Sequence, residues 1–271
     1  MSTIDADLVR EELGPSALKR LADLESFAAI GSTNTYLMQQ QAPEPGMLRV
    51  ALTANQTAGR GRHGKTWQSP PGSGLALSVA YTFADQPGNL PVLTLVIGNA
   101  AIDALEELGV GGIQLKWPND LIAGNAKLGG ILTEAQSQGS TAVTIVTGIG
   151  INLDLGPDFR LATDEGPVRP VTDLGAQLPT RPRTESIAAA LINRIHDALT
   201  RFESTGFADF VLQWADRDWL LGRNVIVETA QSRLAGVCAG IAEDGALLLK
   251  ADGAVQRVTS GTVTMTEDWT S

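Results

Sequence analysis

The chain has 271 residues, of which 43% are hydrophobic, so it can bury the core of one large domain or of a large domain with a small satellite. Its 30 acidic and 20 basic residues give a formal charge of -10, which excludes a general electrostatic attraction to nucleic acid or to an anionic membrane. Cys238 is the single cysteine, which excludes an internal disulfide framework, and we find neither a secretory signal nor a bilayer-crossing stretch, so we expect a cytoplasmic protein.

Strands and helices alternate through the first 155 residues. Short apolar runs predict strands at 27–30, 48–54, 75–83, 113–117, 120–123, 127–136 and 141–155, the last interrupted by glycines. Helical spacing and polar caps predict helices from Pro15, after the cap at 31–34, and over 91–108. This pattern is typical of an α+β domain with a mixed sheet.

The residue composition and pattern change twice in the second half of the chain. Glycines, prolines and charges dominate 156–183 and predict a loop-rich connection, after which helices are expected at 184–203 and 207–219. Beyond residue 221, short alternating runs separated by Asp244-Gly245 and Asp252-Gly253 predict hairpins and therefore a small β-barrel. We expect an N-terminal helical extension (1–25), a main domain (26–220) and the barrel (221–271).

Three cations and three glycines fall within seven residues, Gly59 to Lys65 (GRGRHGK), in a long loop between two predicted strands. Glycines allow backbone N–H groups to close on an anion, and arginines supply forked donors to carboxylate or phosphate. The alternative is a flexible basic loop or an RNA-binding Arg/Gly segment, but a single copy without interleaved aromatic residues makes the RNA interpretation poor. The segment therefore favours capture of a small anion.

The stretch from Lys116 to Asp120 (KWPND) is built around a proline. Proline forces its predecessor to be extended and cannot donate to a ladder, so Trp117-Pro118 marks a sheet edge or a bulge. Taken alone, the simpler interpretation is a kink whose Asn119 and Asp120 satisfy the turn. The functional alternative is that the kink leaves Lys116 and Asp120 facing one cleft, as a phosphate partner and a magnesium ligand.

Glycines interrupt two of the predicted strands. Lys127 begins a strand that contains Gly129 and Gly130, and Gly148 and Gly150 interrupt the long strand. Glycine weakens a strand unless something approaches the backbone closely, so the four glycines suggest a close approach to the sheet at these positions. A lysine at a strand start is, by itself, usually solvated.

The remaining polar and aromatic candidates have simple structural interpretations. Ser32, Thr33 and Asn34 are explained as a helix cap, and Trp67 is either a core residue or a platform for a flat ligand. His63 has no partner suggested by the sequence, and His196 is the only other histidine, so a histidine metal site is not expected. With no paired cysteine and histidine, covalent catalysis by the protein is disfavoured.

Five motifs in one order carry a family resemblance. GSTN (31–34), TANQTAGRGRHGKTW (53–67), LKWPNDL (115–121), KLGGIL (127–132) and GIGIN (148–152), followed by a terminal β-module, resemble the biotin protein ligases, the biotin–[acetyl-CoA-carboxylase] ligases. The resemblance implies a mixed sheet flanked by helices, of the class II aminoacyl-tRNA-synthetase-like type, and a C-terminal barrel of the Src-homology-3-like type.

The same resemblance implies a two-step reaction. Biotin's carboxylate attacks the α-phosphate of MgATP to give biotinyl-5′-AMP and pyrophosphate, and a lysine of a biotin carboxyl-carrier domain then attacks the mixed anhydride and releases AMP. The residues agree with this chemistry, because neither step needs a protein nucleophile and both need positioning and neutralisation of negative charge.

Site roles follow from the resemblance position by position. Biotin contacts are implied for Ser32, Thr33, Asn34, Gln56, Gly59, Arg60, Gly61, Arg62 and Lys127, with Gly129, Gly130, Gly148 and Gly150 leaving room for the ligand. ATP or adenylate contacts are implied for Arg60, Arg62, Trp67, Lys116, Asn119, Asp120, Lys127 and Asn152. Lys127, Arg60 and Arg62 are the expected catalytic residues, and Asp120 is the expected magnesium ligand. Many relatives carry a further arginine where this chain has His63, which is therefore assigned no role.

The start of the chain separates two forms of the family. Only about thirty residues precede Gly31, too few for the helix-turn-helix domain of members that act as biotin-responsive repressors. We expect a ligase-only form, monomeric or homodimeric, that acts on carrier domains of acetyl-CoA or related carboxylases and has no nucleic-acid or membrane partner. The alternatives are a lipoate-type ligase of the same superfamily, a biotin-responsive regulator without ligase activity, and a catalytically inactive biotin-binding protein.

Overall fold

The computed structural model describes residues 3–137, 141–156, 159, 170–251 and 253–266. It contains a seven-stranded sheet and a five-stranded sheet. The strands of the larger sheet are β1 (Leu21–Phe27), β2 (Leu48–Thr53), β3 (Gly74–Phe83), β4 (Ile113–Lys116), β5 (Asp120–Ala123), β6 (Ala126–Ser137) and β7 (Val143–Asn152). Their spatial order is β1-β2-β3-β7-β6-β5-β4, and β1 runs parallel to β2 while the other neighbours are antiparallel.

Helices cover both faces of this sheet. They are α1 (Ala6–Glu11), α2 (Pro15–Arg20), α3 (Thr33–Gln39), α4 (Leu93–Glu107), α5 (Leu174–Gln177), α6 (Thr184–Thr205) and α7 (Ala208–Arg217). The face packed against α4 and α6 holds the main core, and α3 lies on the opposite face. The predicted fold class, a mixed sheet flanked by helices, is confirmed.

The central strand β3 shows how the sequence divides the two faces. All ten of its residues are buried, and its large side chains, Leu75, Leu77, Val79, Tyr81 and Phe83, belong to the main core. Successive side chains of a strand point to opposite faces, so the alternate positions, with the small residues Ala76, Ser78 and Ala80, face α3. Small residues on this side leave space against the sheet, and the candidate site described below uses that space.

The C-terminal strands form an open antiparallel sheet. They are β8 (Asn224–Glu228), β9 (Arg233–Ile241), β10 (Leu247–Ala251), β11 (Ala254–Val258) and β12 (Thr262–Met265), in the order β11-β10-β9-β8-β12. Gly245 and Gly253 have positive φ in the turns, as the Asp-Gly pairs predicted. Within the described residues no pairing joins β11 to β12, so the small β domain is present but the expected closed barrel is not.

Several boundaries differ from the expectations. The strand predicted at 27–30 is wrong: β1 lies at Leu21–Phe27, because it pairs in parallel with β2 along its whole length and buries Leu24. The interruption predicted in the long strand is also wrong, since Gly148 and Gly150 both pair in register with β3 and β6. The sequence reading missed α1, α5 and β12. Part of the predicted loop at 156–183, namely residues 157, 158 and 160–169, lies outside the described residues.

Cys238 is a packing residue of the small sheet. Its side chain is 1% exposed, and burial raises the pKa of its thiol to about 12. Because the thiolate is the reactive form, we expect no modification by a disulfide reagent in the folded protein at pH 8 and modification of one thiol after unfolding in guanidinium. Rapid labelling of the native protein would contradict this placement.

None of the described helices combines the length and the hydropathy that a bilayer crossing requires.

Candidate functional site

A cavity of about 120 Å³ lies on the α3 face of the large sheet, beside the N-terminus of α3. Its floor is formed by small residues of β3 and β7, among them Ala76, Ser78, Gly148 and Gly150. The structure brings most of the predicted site residues to its wall: Ser32, Thr33, Asn34, Gln56, Arg60, Gly61, Arg62, Trp67, Asn119, Lys127, Gly130, Gly148 and Gly150. Five further predicted site residues do not line it: Gly59, Lys116, Asp120, Gly129 and Asn152.

The first turn of α3 forms the uncharged polar end of the cavity. The backbone N–H and the hydroxyl of Thr33 both lie within hydrogen-bond distance of Gln56 Oε1, at 2.9 and 3.2 Å. Asn34 is 4% exposed, and its Oδ1 accepts from Ser78 Oγ at 2.6 Å while its Nδ2 donates to the Leu132 carbonyl at 3.1 Å. The protein itself therefore supplies partners on both sides of the Asn34 amide, and this amide fixes α3 on the sheet.

Two glycines of β7 make room for these groups. A methyl group at Gly148 would lie 2.2 Å from Asn34 Oδ1, and one at Gly150 would lie 2.5 Å from the Trp67 ring. On β6, a methyl group at Gly129 would meet the Gly150 carbonyl at 2.6 Å, whereas Gly130 has about 3.3 Å to Lys127 Nζ. The glycines thus admit protein side chains against the sheet.

The loop from Gly59 to Trp67 is a hairpin over the cavity. Gly61 N–H donates to the Lys65 carbonyl at 2.7 Å, and Trp67 N–H donates to the Gly59 carbonyl at 3.0 Å. At the tip, His63 adopts a positive φ of 55°, which is uncommon for a residue other than glycine. Burial lowers the pKa of the half-buried Arg62, against the opposing effect of Asp120. The hairpin therefore places Arg62 toward the charged end of the cavity.

Lys127 is held at this charged end by several contacts. Its Nζ donates to Asp120 Oδ1 at 2.6 Å and lies 5.6 Å from the centre of the Trp67 ring. Its backbone N–H donates to the Pro170 carbonyl at 2.9 Å, and its carbonyl accepts from Asn152 Nδ2 at 3.4 Å. Asn152, predicted to contact adenine, is 4% exposed and also donates to the Thr172 carbonyl at 2.9 Å. In this structure Asn152 orders the backbone around Lys127.

A second cavity of about 70 Å³ continues the first and shares Arg62, Lys65, Asn119 and Lys127 with it. Its wall also contains His63, Lys116 and Asp120, so lysine and arginine outnumber the single carboxylate. Lys116 is buried, with its Nζ 5.9 Å from the centre of the Trp219 ring. Such a cluster of cations suits a polyanion of the size of an inorganic phosphate chain.

The side chains that the structure describes do not form a complete metal site by themselves. No group of three or more His, Cys, Asp and Glu side chains suited to a metal ion occurs in the part of the chain that the structure describes. Mg²⁺ needs only one or two protein carboxylates when a phosphate chain supplies the other ligands, and Asp120 at the second cavity meets that requirement. The residues therefore fit a magnesium ion that arrives with a nucleotide.

Sequence reasoning missed two residues of the site, Ser78 and Glu134. Ser78 is fully buried in the central strand β3. A buried hydroxyl needs a hydrogen-bond partner, so a serine within this apolar run indicates a polar contact. Glu134 accepts hydrogen bonds from Asn34 and from Arg60. The position of Glu134 could have indicated its place in the site. It follows Leu132 by two residues and Gly130 by four, so all three lie on the same face of β6.

Comparisons with known proteins identify the class to which this fold and site belong. Residues 26–152 match the model of the biotin/lipoate A/B protein ligase family, and residues 220–265 match that of the biotin protein ligase C terminal domain. The structure of a biotin protein ligase from Aquifex aeolicus in complex with biotin and ATP superposes with a TM-score of 0.72 at 27% identity, covering 91% of this chain and 98% of that one.

Two curated relatives narrow the class. The bifunctional ligase/repressor BirA of Escherichia coli is 33% identical over 87% of this chain and 72% of its own length. The biotin–[acetyl-CoA-carboxylase] ligase of Mycobacterium tuberculosis is 30% identical over 89% of this chain and 88% of its own length. The chain belongs to the biotin protein ligase family.

Proposed function

We propose that the protein is a biotin–[biotin carboxyl-carrier protein] ligase, which uses ATP to attach biotin to a specific lysine of a carrier domain through biotinyl-5′-AMP. The observation that carries this proposal is the division of the joined cavities into an end of hydroxyl and amide groups at α3, where Glu134 pairs with Arg60, and a cationic end at Arg62 and Lys127. The first end suits a neutral ureido ring, and the second suits a carboxylate next to a phosphate chain.

The first step joins the biotin carboxylate to the α-phosphate of MgATP and releases pyrophosphate. Both reactants are anions, so their approach requires fixed cations and oriented donors. Lys127 and Arg62 supply the positive charge, and the Asp120 contact holds the Lys127 ammonium group in place. Arg60 lines the same cavity but is paired with Glu134. Asp120 is also our candidate for binding the magnesium ion of the nucleotide. The hairpin limits access of water to the anhydride product.

The second step requires a way in for the carrier lysine. A cleft of about 860 Å³ lies between the start of α4, the Trp117–Pro118 segment and residues 244–246 of the small sheet. It meets the ligand site at Arg62 and Glu134. We propose that the carrier lysine enters here and loses its ammonium proton to solvent. The neutral amine then attacks the carbonyl carbon of the anhydride, the C–O bond to AMP breaks, and the second N–H proton passes to solvent as the amide forms.

A labelling experiment tests this function against its nearest alternative. The protein is incubated with MgATP, a biotin carboxyl-carrier domain and either radiolabelled biotin or radiolabelled lipoate. We expect acid-stable label on the carrier domain with biotin only, and none when the acceptor lysine of the carrier is replaced by alanine. Transfer of lipoate in place of biotin, or no transfer, would overturn the proposal.

The remaining expectations stay predictions: the monomeric or homodimeric state, the absence of a nucleic-acid partner and the cytoplasmic location. Light scattering with and without biotin and ATP tests the oligomeric state. A gel-shift assay with random and promoter DNA tests nucleic-acid binding. Specific binding of DNA would favour the regulator alternative.

A further inference from the structure

Glu134 lies where the loop, the helix α3 and the sheet meet. It stands on β6 on the same face as Leu132 and Gly130, which pair with Gly148 and Gly150 of the cavity floor. Its Oε2 accepts from Asn34 Nδ2 at 3.0 Å. Its Oε1 accepts from Arg60 Nη2 at 2.8 Å, and Arg60 Nη1 lies 3.3 Å from Oε2. One carboxylate therefore joins α3 to the hairpin.

The hairpin depends on such contacts for its position. Ala58 N–H donates to the Gly31 carbonyl, and the backbone hydrogen bonds that follow, from Gly61, Lys65 and Trp67, are internal to the loop. Its orientation over the cavity then rests on side chains: the Trp67 ring against Gly150, and the Arg60 guanidinium against Glu134 and Thr35 Oγ1, the latter at 3.3 Å. Because both Arg60 nitrogens face the carboxylate, the pair fixes direction as well as distance.

We propose that Glu134 is a positioning residue for ligation, which holds the hairpin closed over the biotin end of the cavity through Arg60 and orients α3 through Asn34. This inference rests on the proposed function for its kinetic consequence, though the anchoring itself does not. Glu134 touches no reacting atom in this role. It aligns the wall that receives biotin, while Lys127 and Arg62 act on the carboxylate and phosphate.

The solvent exposure of the Arg60–Glu134 pair distinguishes a positioning role from a role in folding stability. The side chains of Arg60 and Glu134 are 47% and 23% exposed, and ion pairs with this access to water add little to folding stability. Loss of Glu134 should therefore leave thermal unfolding nearly unchanged while loosening the hairpin. Lys127 stands on β6 and stays in place, whereas Arg62 moves with the hairpin. The Michaelis constant for biotin should therefore rise more than kcat falls.

The test compares Glu134→Ala, Glu134→Gln and the control Glu228→Ala, which removes an exposed acid of β8 that pairs with Arg233 of β9 and lines neither cavity. Trypsin cleavage after Arg60, Arg62 and Lys65 reports hairpin opening without any ligand. We expect Glu134→Ala to speed this cleavage and to raise the Michaelis constant for biotin about two- to fivefold, the scale of one partly exposed ion pair. Glu134→Gln keeps an acceptor for Asn34 and should be intermediate, and Glu228→Ala should match the unaltered protein.

Cleavage and Michaelis constants unchanged in Glu134→Ala would overturn the proposal, as would an equal fall in kcat with no change in the Michaelis constant. Failure of the unaltered protein to make biotinyl-AMP would overturn the proposed function instead, and the proteolysis rates would still decide whether Glu134 anchors the hairpin.

Discussion

Replacement of Lys127 by alanine should slow adenylate formation by about 10²- to 10³-fold, the usual cost of removing one preorganised donor to developing charge. Lys127 lines both cavities, as Arg62 and Lys65 do, and its ammonium group is held 2.6 Å from Asp120 Oδ1. Without it, a carboxylate and a phosphate would meet with less compensating charge. The measurement is single-turnover release of pyrophosphate from MgATP in the presence of biotin.

Two variants keep this result interpretable. Lys19→Ala removes an exposed lysine on α2 and should release pyrophosphate at the rate of the unaltered protein. Lys127→Arg keeps the charge but changes the shape of the donor, and should recover part of the rate. Circular dichroism should show the same folded spectrum for all three. Release at the unaltered rate by Lys127→Ala would show that its role is misassigned.

Replacement of Gly148 by alanine should have the second largest effect, a loss of biotin affinity of about 100-fold or more, since overpacking at a rigid site costs about 1–3 kcal/mol before the ligand contacts are counted. The new methyl group would lie 2.2 Å from Asn34 Oδ1. Asn34 cannot simply move away, because Ser78, Leu132 and Glu134 hold its amide. The N-terminus of α3, and with it Thr33, must shift. Isothermal titration with biotin measures the loss.

The matched control is Gly111→Ala, at a glycine with no atom within 4 Å of the added methyl group. It should bind biotin as the unaltered protein does. Gly130→Ala is a graded case, because its methyl group would lie 3.3 Å from the flexible end of Lys127. We expect a smaller loss there. Biotin affinity equal in Gly148→Ala and Gly111→Ala would contradict the account of the cavity floor.

The sequence was informative where a local rule decides the structure. Ser32 caps α3 because a serine side chain satisfies the first free N–H groups of a helix, and the buried runs 48–54 and 75–83 became β2 and β3 with ends shifted by a residue. Even the strand glycines were interpreted correctly as sites of close approach. They were also expected to interrupt the strand, but strand pairing continues through Gly148 and Gly150 without a break.

The partners of individual side chains could not be predicted in this way. The Lys127–Asp120 pair crosses from β6 to β5, and the Glu134–Arg60 pair joins residues 74 positions apart. Both depend on strand register and on the course of the hairpin, which tertiary packing sets. For the same reason the hydrogen bonds of the Asn152 amide to the Lys127 and Thr172 carbonyls were not foreseen, while its contact with adenine stays a prediction. The predicted bounds of the edge strand β1 were wrong, because its pairing with β2 sets those bounds and its own hydrophobic pattern does not.

The central claim is that this chain activates the biotin carboxylate on ATP by charge and position, without a nucleophile of its own. Exchange of radiolabelled pyrophosphate into ATP tests it most directly, because exchange reports reversible adenylate formation before any carrier domain is involved. We predict exchange that requires biotin, is lost in Lys127→Ala, and leaves no label from biotin covalently attached to the protein after acid precipitation. Exchange without biotin, no exchange with biotin, or a covalent biotinyl-protein on the reaction path would contradict the account.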